Sequence, residues 1–171
     1  NERVILDEKG DRLPDGERGE LYIYNPFLMD GYYKNDGATR ECCRGKYMTV
    51  GDVAIRDEEG YYYIVDRKKD MIIRGGVNIY PAEIEEDIHG MEGVRDVAVV
   101  GKPDAHWGEI VAAFVVLEPG AKIDGDSIKN YCNERLASHK TPEIIIRRDD
   151  IPRSPQGKIL KRELREELKE T

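Results

Sequence analysis

The chain has 171 residues, 39% hydrophobic and 36% charged, a balance that fits an ordinary soluble globular protein of one domain, or a small domain with part of another. Its net charge of −8, from 27 basic and 35 acidic residues, disfavours bulk nucleic-acid binding. The longest uninterrupted apolar stretch, Ile110 to Leu117, is far too short for a transmembrane segment, and no basic-then-apolar leader opens the sequence.

Residues 1–11 already resemble mid-sheet sequence and begin at Asn1, so the chain is expected to be a piece of something longer. Residues 20–25 (Glu-Leu-Tyr-Ile-Tyr-Asn) alternate as a half-buried strand should. Val50 to Arg56 and Tyr61 to Val65 are two more strands, joined by a hairpin turn at Asp57-Glu58-Glu59-Gly60. Residues 1–65 therefore read as an all-β segment. The charged stretch 66–70 interrupts the apolar runs and marks a boundary. Beyond it, Met71–Arg74 and Val77–Ile79 form a short hairpin turned by Gly75-Gly76, since paired glycines supply the positive φ angles of a tight primed turn. Pro81 suits a helix start, with Ile84 and Ile88 on one face. Val94–Val100 and Glu109–Leu117 are β-prone. Ser127–Ala137 is helical on an Ile128, Tyr131, Cys132 and Leu136 stripe, Glu143–Arg148 is a strand, and Ile159–Leu168 is an amphipathic helix. The fold class is α+β: a small all-β segment, then a compact domain over 71–171 with a small β-sheet flanked by helices.

Three cysteines, two of them adjacent at Cys42-Cys43, make neither a disulfide framework nor a zinc pattern, and reduced cytoplasmic thiols are expected. His89, His106 and His139 are too scattered for a metal site and read as structural, so no metal ligands are assigned. Four positions could carry chemistry. Asp52 follows Gly51 at a strand, where a carboxylate can accept two hydrogen bonds from a diol or simply bond its own turn. The rigid fork of Arg67 suits nucleotide oxygens, or a surface ion pair with Asp66 or Asp70. Gly75-Gly76 lets a thin ligand pass against bare backbone, or merely turns a hairpin. Lys158 follows Pro155 and Gly157, either as an aimed cation or as a solvated lysine before the last helix. Trp107, beside β-prone sequence, is read as packing.

Three segments, Thr49-Val50-Gly51-Asp52, the run from Asp66-Arg67-Lys68-Lys69-Asp70 to Gly75-Gly76, and Ile151-Pro152-Arg153-Ser154-Pro155-Gln156-Gly157-Lys158, together resemble the C-terminal signatures of the AMP-forming acyl-CoA synthetase (adenylate-forming) superfamily. The resemblance implies an enzyme that activates a carboxylic acid with ATP and Mg²⁺ to an acyl-adenylate, then transfers it to coenzyme A. It implies that Asp52 holds the AMP ribose, that Arg67 and Asn78 contact the nucleotide, and that Gly75 and Gly76 line the path of CoA. Lys69 takes the hinge position and Lys158 that of the catalytic lysine, which also binds ATP and which acetylation would silence. In this sequence Val50 stands where relatives have a threonine, with Thr49 one step back. By the same resemblance residues 1–65 are the end of an N-terminal adenylation domain, 66–70 the hinge and 71–171 a mobile C-terminal domain. The Mg²⁺ ligands belong to the missing N-terminal domain, and the chain alone is expected to be inactive. A peptide-synthetase adenylation domain loading a carrier protein, or a stand-alone CoA-binding or regulatory module, are the alternative readings.

Overall fold

Apolar residues seat the first strands. In the computed structural model, which describes residues 1–169, strand β1 (Glu2–Leu6) buries Val4, Ile5 and Leu6 and pairs antiparallel with β2 (Arg18–Tyr24). Helix α1 (Asp36–Cys42) follows, then β3 (Cys43–Arg44), β4 (Tyr47–Met48), β5 (Asp52–Arg56) and β6 (Tyr62–Arg67). The sheet runs β3-β4-β2-β5-β6, with β1 also paired to β2. Its core is small, centred on Val4, Leu6 and Tyr22 with Tyr47 against them.

Helix α1 corrects the all-β expectation for residues 1–65. It starts where the Asn35 side chain accepts a hydrogen bond from the Ala38 N–H at 3.1 Å, a standard N-cap. None of its residues is buried, so it carries no apolar stripe for a periodicity argument to find.

Strand β6 runs on through Asp66 and Arg67, and Lys68–Asp70 form a single 3₁₀ turn. The chain divides into two units, Asn1–Lys69 and Asp70 onward. In the second unit β7 (Ile72–Arg74) and β8 (Val77–Ile79) make the expected hairpin, followed by α2 (Pro81–His89) and the long pair β9 (Val94–Asp104) and β10 (Gly108–Leu117). Helix α3 (Gly125–Asn133), β11 (Ile144–Arg148) and α4 (Lys161–Lys169) complete it. Helix α3 stops short of the predicted Ala137, which has the extended backbone that leads into a 3₁₀ turn at Ser138–Lys140. Leu136 still packs on the core.

Strand β10 organises this unit. It pairs antiparallel with β9 along its length and parallel with β11, and it meets β7 at Gly108↔Arg74. Successive side chains point to opposite faces. Val111, Ala113 and Val115 therefore pack with Ile84, Ile88, Ile128 and Cys132 from α2 and α3. Ala112, Phe114 and Val116 face the other way, against Leu164 and Leu168 of α4 and Ile151. A sheet covered on both faces explains why β10 reads as a continuous apolar run rather than an alternating one. The α+β class is the one observed, and no helix among the described residues is long and apolar enough to cross a membrane.

Candidate functional site

In the first unit, Asp52 and Arg67 are cross-strand partners on β5 and β6. The Arg67 Nε donates to Asp52 Oδ1 at 2.7 Å, and an Nη1 hydrogen reaches the Val50 carbonyl at 3.3 Å. The approach to Asp52 is shaped by Gly51, whose φ of 79° only glycine adopts easily. Thr49, buried behind it, accepts the Gly51 N–H on its hydroxyl at 2.9 Å. The hydroxyl displaced by Val50 is thus spent on fixing the turn. One carboxylate oxygen of Asp52 and several guanidinium hydrogens of Arg67 remain for a ligand, the complement of a diol or a phosphate. Nearby, Lys68 pairs with Glu20 at 2.8 Å, and this hydrogen bond holds the ammonium pKa above its ordinary value.

In the second unit, Gly75 and Gly76 turn the β7–β8 hairpin with φ of 56° and 81°. Its supports come from β10 and the loop before it. The Gly75 N–H donates to the Trp107 carbonyl at 2.7 Å, and the Ile73 N–H donates to Glu109 Oε2 at 2.8 Å. Arg74 pairs with Glu143, donates to the His139 carbonyl at 2.9 Å, and lies 5.4 Å from the centre of the Trp107 ring. A Cβ at Gly75 would sit 3.1 Å from Trp107 Cε3, whereas one at Gly76 would meet nothing within 4 Å. The hairpin is therefore backed at Gly75 and open at Gly76. Asn78, on β8 opposite Ile73, is exposed.

Trp107 corrects a sequence reading. It is 44% exposed, so it is not core; its indole covers the backbone of Gly75. Asp104 sets its place by accepting the N–H groups of Trp107 at 2.8 Å and His106 at 2.9 Å. The signal was legible in Asp104-Ala105-His106-Trp107-Gly108, an aspartate whose side chain bonds the backbone two and three residues on, closing at a glycine with φ of 78°. Those N–H donors, Trp107 first, depress the Asp104 pKa below its ordinary 3.8. A group depressed on folding supports the turn fully above its unfolded pKa, and that support is lost as pH falls through the folded value. Acid titration followed by fluorescence of Trp107, the one tryptophan in the chain, should show its transition below pH 3.8. Asp104→Ala should remove that transition, and a midpoint at or above 3.8 would contradict the capping role.

Lys158 lies on a loop that closes on itself. The Ser154 N–H donates to the Lys158 carbonyl at 2.8 Å, the Gly157 N–H to the Ser154 carbonyl at 2.8 Å, and Arg153 and Ile159 form a bridge. Arg153 adds a bond to the Gly157 carbonyl at 2.9 Å and an ion pair to Asp96 of β9 at 2.7 Å. The backbone of Lys158 is held while its side chain is exposed, and its ammonium has no ion-pair partner among the described residues. The structure thus brings Asp52 to Arg67, and Gly75 to Trp107 and Arg74. No hydrogen bond or ion pair joins the Lys158 loop to the glycine hairpin among the described residues. Lys69 ends the first unit within the 3₁₀ turn. No group of three or more His, Cys, Asp or Glu side chains placed to hold a metal occurs among the described residues.

Residues 83–158 match the model of the AMP-binding enzyme C-terminal domain. Lys158 is the last residue of that match, while Asp52, Arg67, Gly75, Gly76 and Asn78 precede it. The chain is 46% identical over 156 residues to a feruloyl-CoA synthase from Amycolatopsis sp, covering 91% of this chain and 32% of that protein. It is 42% identical over 164 residues to a long-chain-fatty-acid–CoA ligase from Bacillus subtilis, covering 96% of this chain and 29% of the ligase. Among solved structures, ATP-bound MatB from Rhodopseudomonas palustris superposes with a TM-score of 0.93 at 38% identity, over 98% of this chain and 34% of that one. The chain spans about a third of the length of these relatives.

Proposed function

We propose that the chain, whose residues 83–158 match the model of the AMP-binding enzyme C-terminal domain, is the C-terminal part of an ATP-dependent acyl-CoA synthetase. The observation that carries this reading is Lys158: an exposed ammonium on a hydrogen-bonded loop, at the end of the family match. In the first half-reaction a carboxylate attacks the α-phosphate of ATP, forming acyl-AMP and releasing pyrophosphate. Two anions must approach while charge grows on the leaving group. Lys158 offsets that repulsion where it is largest, in the transition state. Asp52 accepts from the ribose hydroxyls, Arg67 opposes nucleotide oxygens, and Asn78 faces the adenylate. Acetylation of Lys158 would remove its charge and stop this step.

In the second half-reaction the thiol of CoA displaces AMP. The open face at Gly76, flanked by Gly75, leaves a side-chain-free edge for the pantetheine arm. One domain then serves both steps by turning about Lys69, a movement that places Lys158 and the glycine pair at the acid in succession. CoA is favoured over a carrier protein as acceptor because the feruloyl and long-chain relatives are both CoA-forming by name. Mg²⁺ would accompany ATP, but the described residues present no cluster that fits it, and no step of this chain runs through it.

The test is ATP–pyrophosphate exchange and CoA-thioester formation, measured across aromatic and fatty acids with the enzyme that carries this chain. Acid-dependent exchange followed by CoA thioester is the expected result, with the 171-residue chain silent by itself. Absence of exchange with every acid would remove the adenylation reading. Exchange without thioester would remove CoA as acceptor.

A further inference from the structure

Three thiols occur in the chain, and the proposed chemistry uses none of them. Cys132 is fully buried, and its pKa is pushed up to about 11, chiefly by desolvation. Cys42 and Cys43 differ from it in exposure and in having each other as neighbours. They are neighbours in sequence, both half-buried, with their sulfurs 3.8 Å apart. They stand where α1 gives way to β3: Cys42 is the last helical residue, and Cys43 has the extended backbone of the strand. That change of backbone direction turns both side chains to one locality, although adjacent residues on a continuous helix or strand diverge. Cys43 also lines an open cavity of about 300 Å³ with Met29, Met48 and Tyr24, so a reagent can reach the Cys43 thiol from solvent and meet the Cys42 sulfur 3.8 Å behind it.

We propose that Cys42 and Cys43 form a two-thiol site for a trivalent thiophile of the arsenic(III) class, which bonds both sulfurs at once. For an organoarsenic oxide the chemistry balances without any oxidant. Both S–H bonds break, two As–S bonds form, and the two protons leave with the arsenical oxygen as water. Neutral thiols are consumed and water is formed, so the rise in Cys42 pKa, caused first by desolvation and next by the hydrogen bond with Cys43, slows the attack but leaves the overall balance unchanged. A disulfide between the same residues would be strained, because adjacent α-carbons lie about 3.8 Å apart and disulfides span roughly 4.4–6.8 Å. An inserted atom widens the bridge and relieves that mismatch.

Occupation would not stay local. The Cys42 carbonyl accepts the Thr49 N–H at 2.9 Å, and the Thr49 hydroxyl accepts the Gly51 N–H at 2.9 Å, one residue before Asp52. The Cys42 Sγ itself donates to the Thr39 carbonyl at 3.3 Å, a bond that arsenic would break. Closing a ring over Cys42 and Cys43 therefore loosens the Thr49–Gly51 turn.

The experiment treats the chain with phenylarsine oxide and reads intact mass, then maps the adduct. Expected is one adduct per chain on Cys42 and Cys43, resistant to excess 2-mercaptoethanol and released by a dithiol. Cys42→Ser and Cys43→Ser should each weaken retention by about a hundredfold or more, since the second bond is intramolecular. Amide exchange should show lost protection at Thr49 and Gly51 in the adduct. No adduct, or one that a monothiol removes from the unsubstituted chain, overturns the site. An adduct with unchanged exchange at both amides overturns its link to the turn.

Discussion

Replacing Lys158 with alanine in the enzyme that carries this chain should lower ATP–pyrophosphate exchange by about 10²–10³-fold, roughly 2.7–4 kcal/mol of transition-state stabilisation. Thioester formation from preformed acyl-adenylate should stay within a few-fold of the unsubstituted enzyme. The asymmetry follows from where charge accumulates. In the reaction proposed above, pyrophosphate leaves only in the first half-reaction, and only there do a carboxylate and a triphosphate meet. Folding should be unaffected, because the side chain is exposed and the loop is held by backbone bonds from Ser154 and Gly157. Lys158→Arg preserves the charge but exchanges a compact, flexible ammonium for a planar fork, and should recover only part of the rate. Equal losses in both half-reactions would show that Lys158 supports the fold or binds a shared substrate, and would contradict the assignment.

Phe114→Ala should cost the second unit about 3–5 kcal/mol, a folded-to-unfolded ratio lowered by about a hundred- to a thousandfold or more. Phe114 is fully buried on the central strand among Val100, Ile151, Leu164 and Leu168. The Arg148 guanidinium lies 5.6 Å from its ring centre. Two elements that converge on this cluster, Ile151 and α4, bracket the loop of Lys158. The cavity left by alanine would therefore loosen the seat of Lys158 as well as the core. Urea unfolding of the chain, followed by Trp107 fluorescence, measures the change. A loss under about 1.5 kcal/mol, the range of a volume-conserving swap, would mean that the sheet face is far more plastic than its packing implies.

Much of the second unit was legible in the sequence because each element announces itself by a strong local rule. Gly75-Gly76 fixes the hairpin turn, Pro81 opens α2, and the spacing of Ile84 and Ile88 fixes its buried face. Helix α1 was not legible, since it rests on one cap at Asn35 and buries nothing. Trp107 was misread because aromatic residues beside β-prone sequence are usually core, and no local rule reports that a glycine backbone from 32 residues earlier needs a cover. The pairing of Asp52 with Arg67 was hidden for a related reason: it depends on cross-strand register through an irregularity between Val53 and Ala54. Register is a property of two strands together, so reading either alone leaves several carboxylates as candidate partners for the arginine.

The loop from Ser154 to Lys158 also acts as a ruler. Its ends are tied by the bond between the Ser154 N–H and the Lys158 carbonyl, and by the bridge from Arg153 to Ile159. The number of residues inside that knot sets where the ammonium is launched. One extra residue would add up to about 3.3 Å of chain inside that loop and shift the point from which the lysine departs. The side chains of Pro155 and Gln156 are exposed and take no part in these bonds, so tolerance here should depend on counting more than on chemistry.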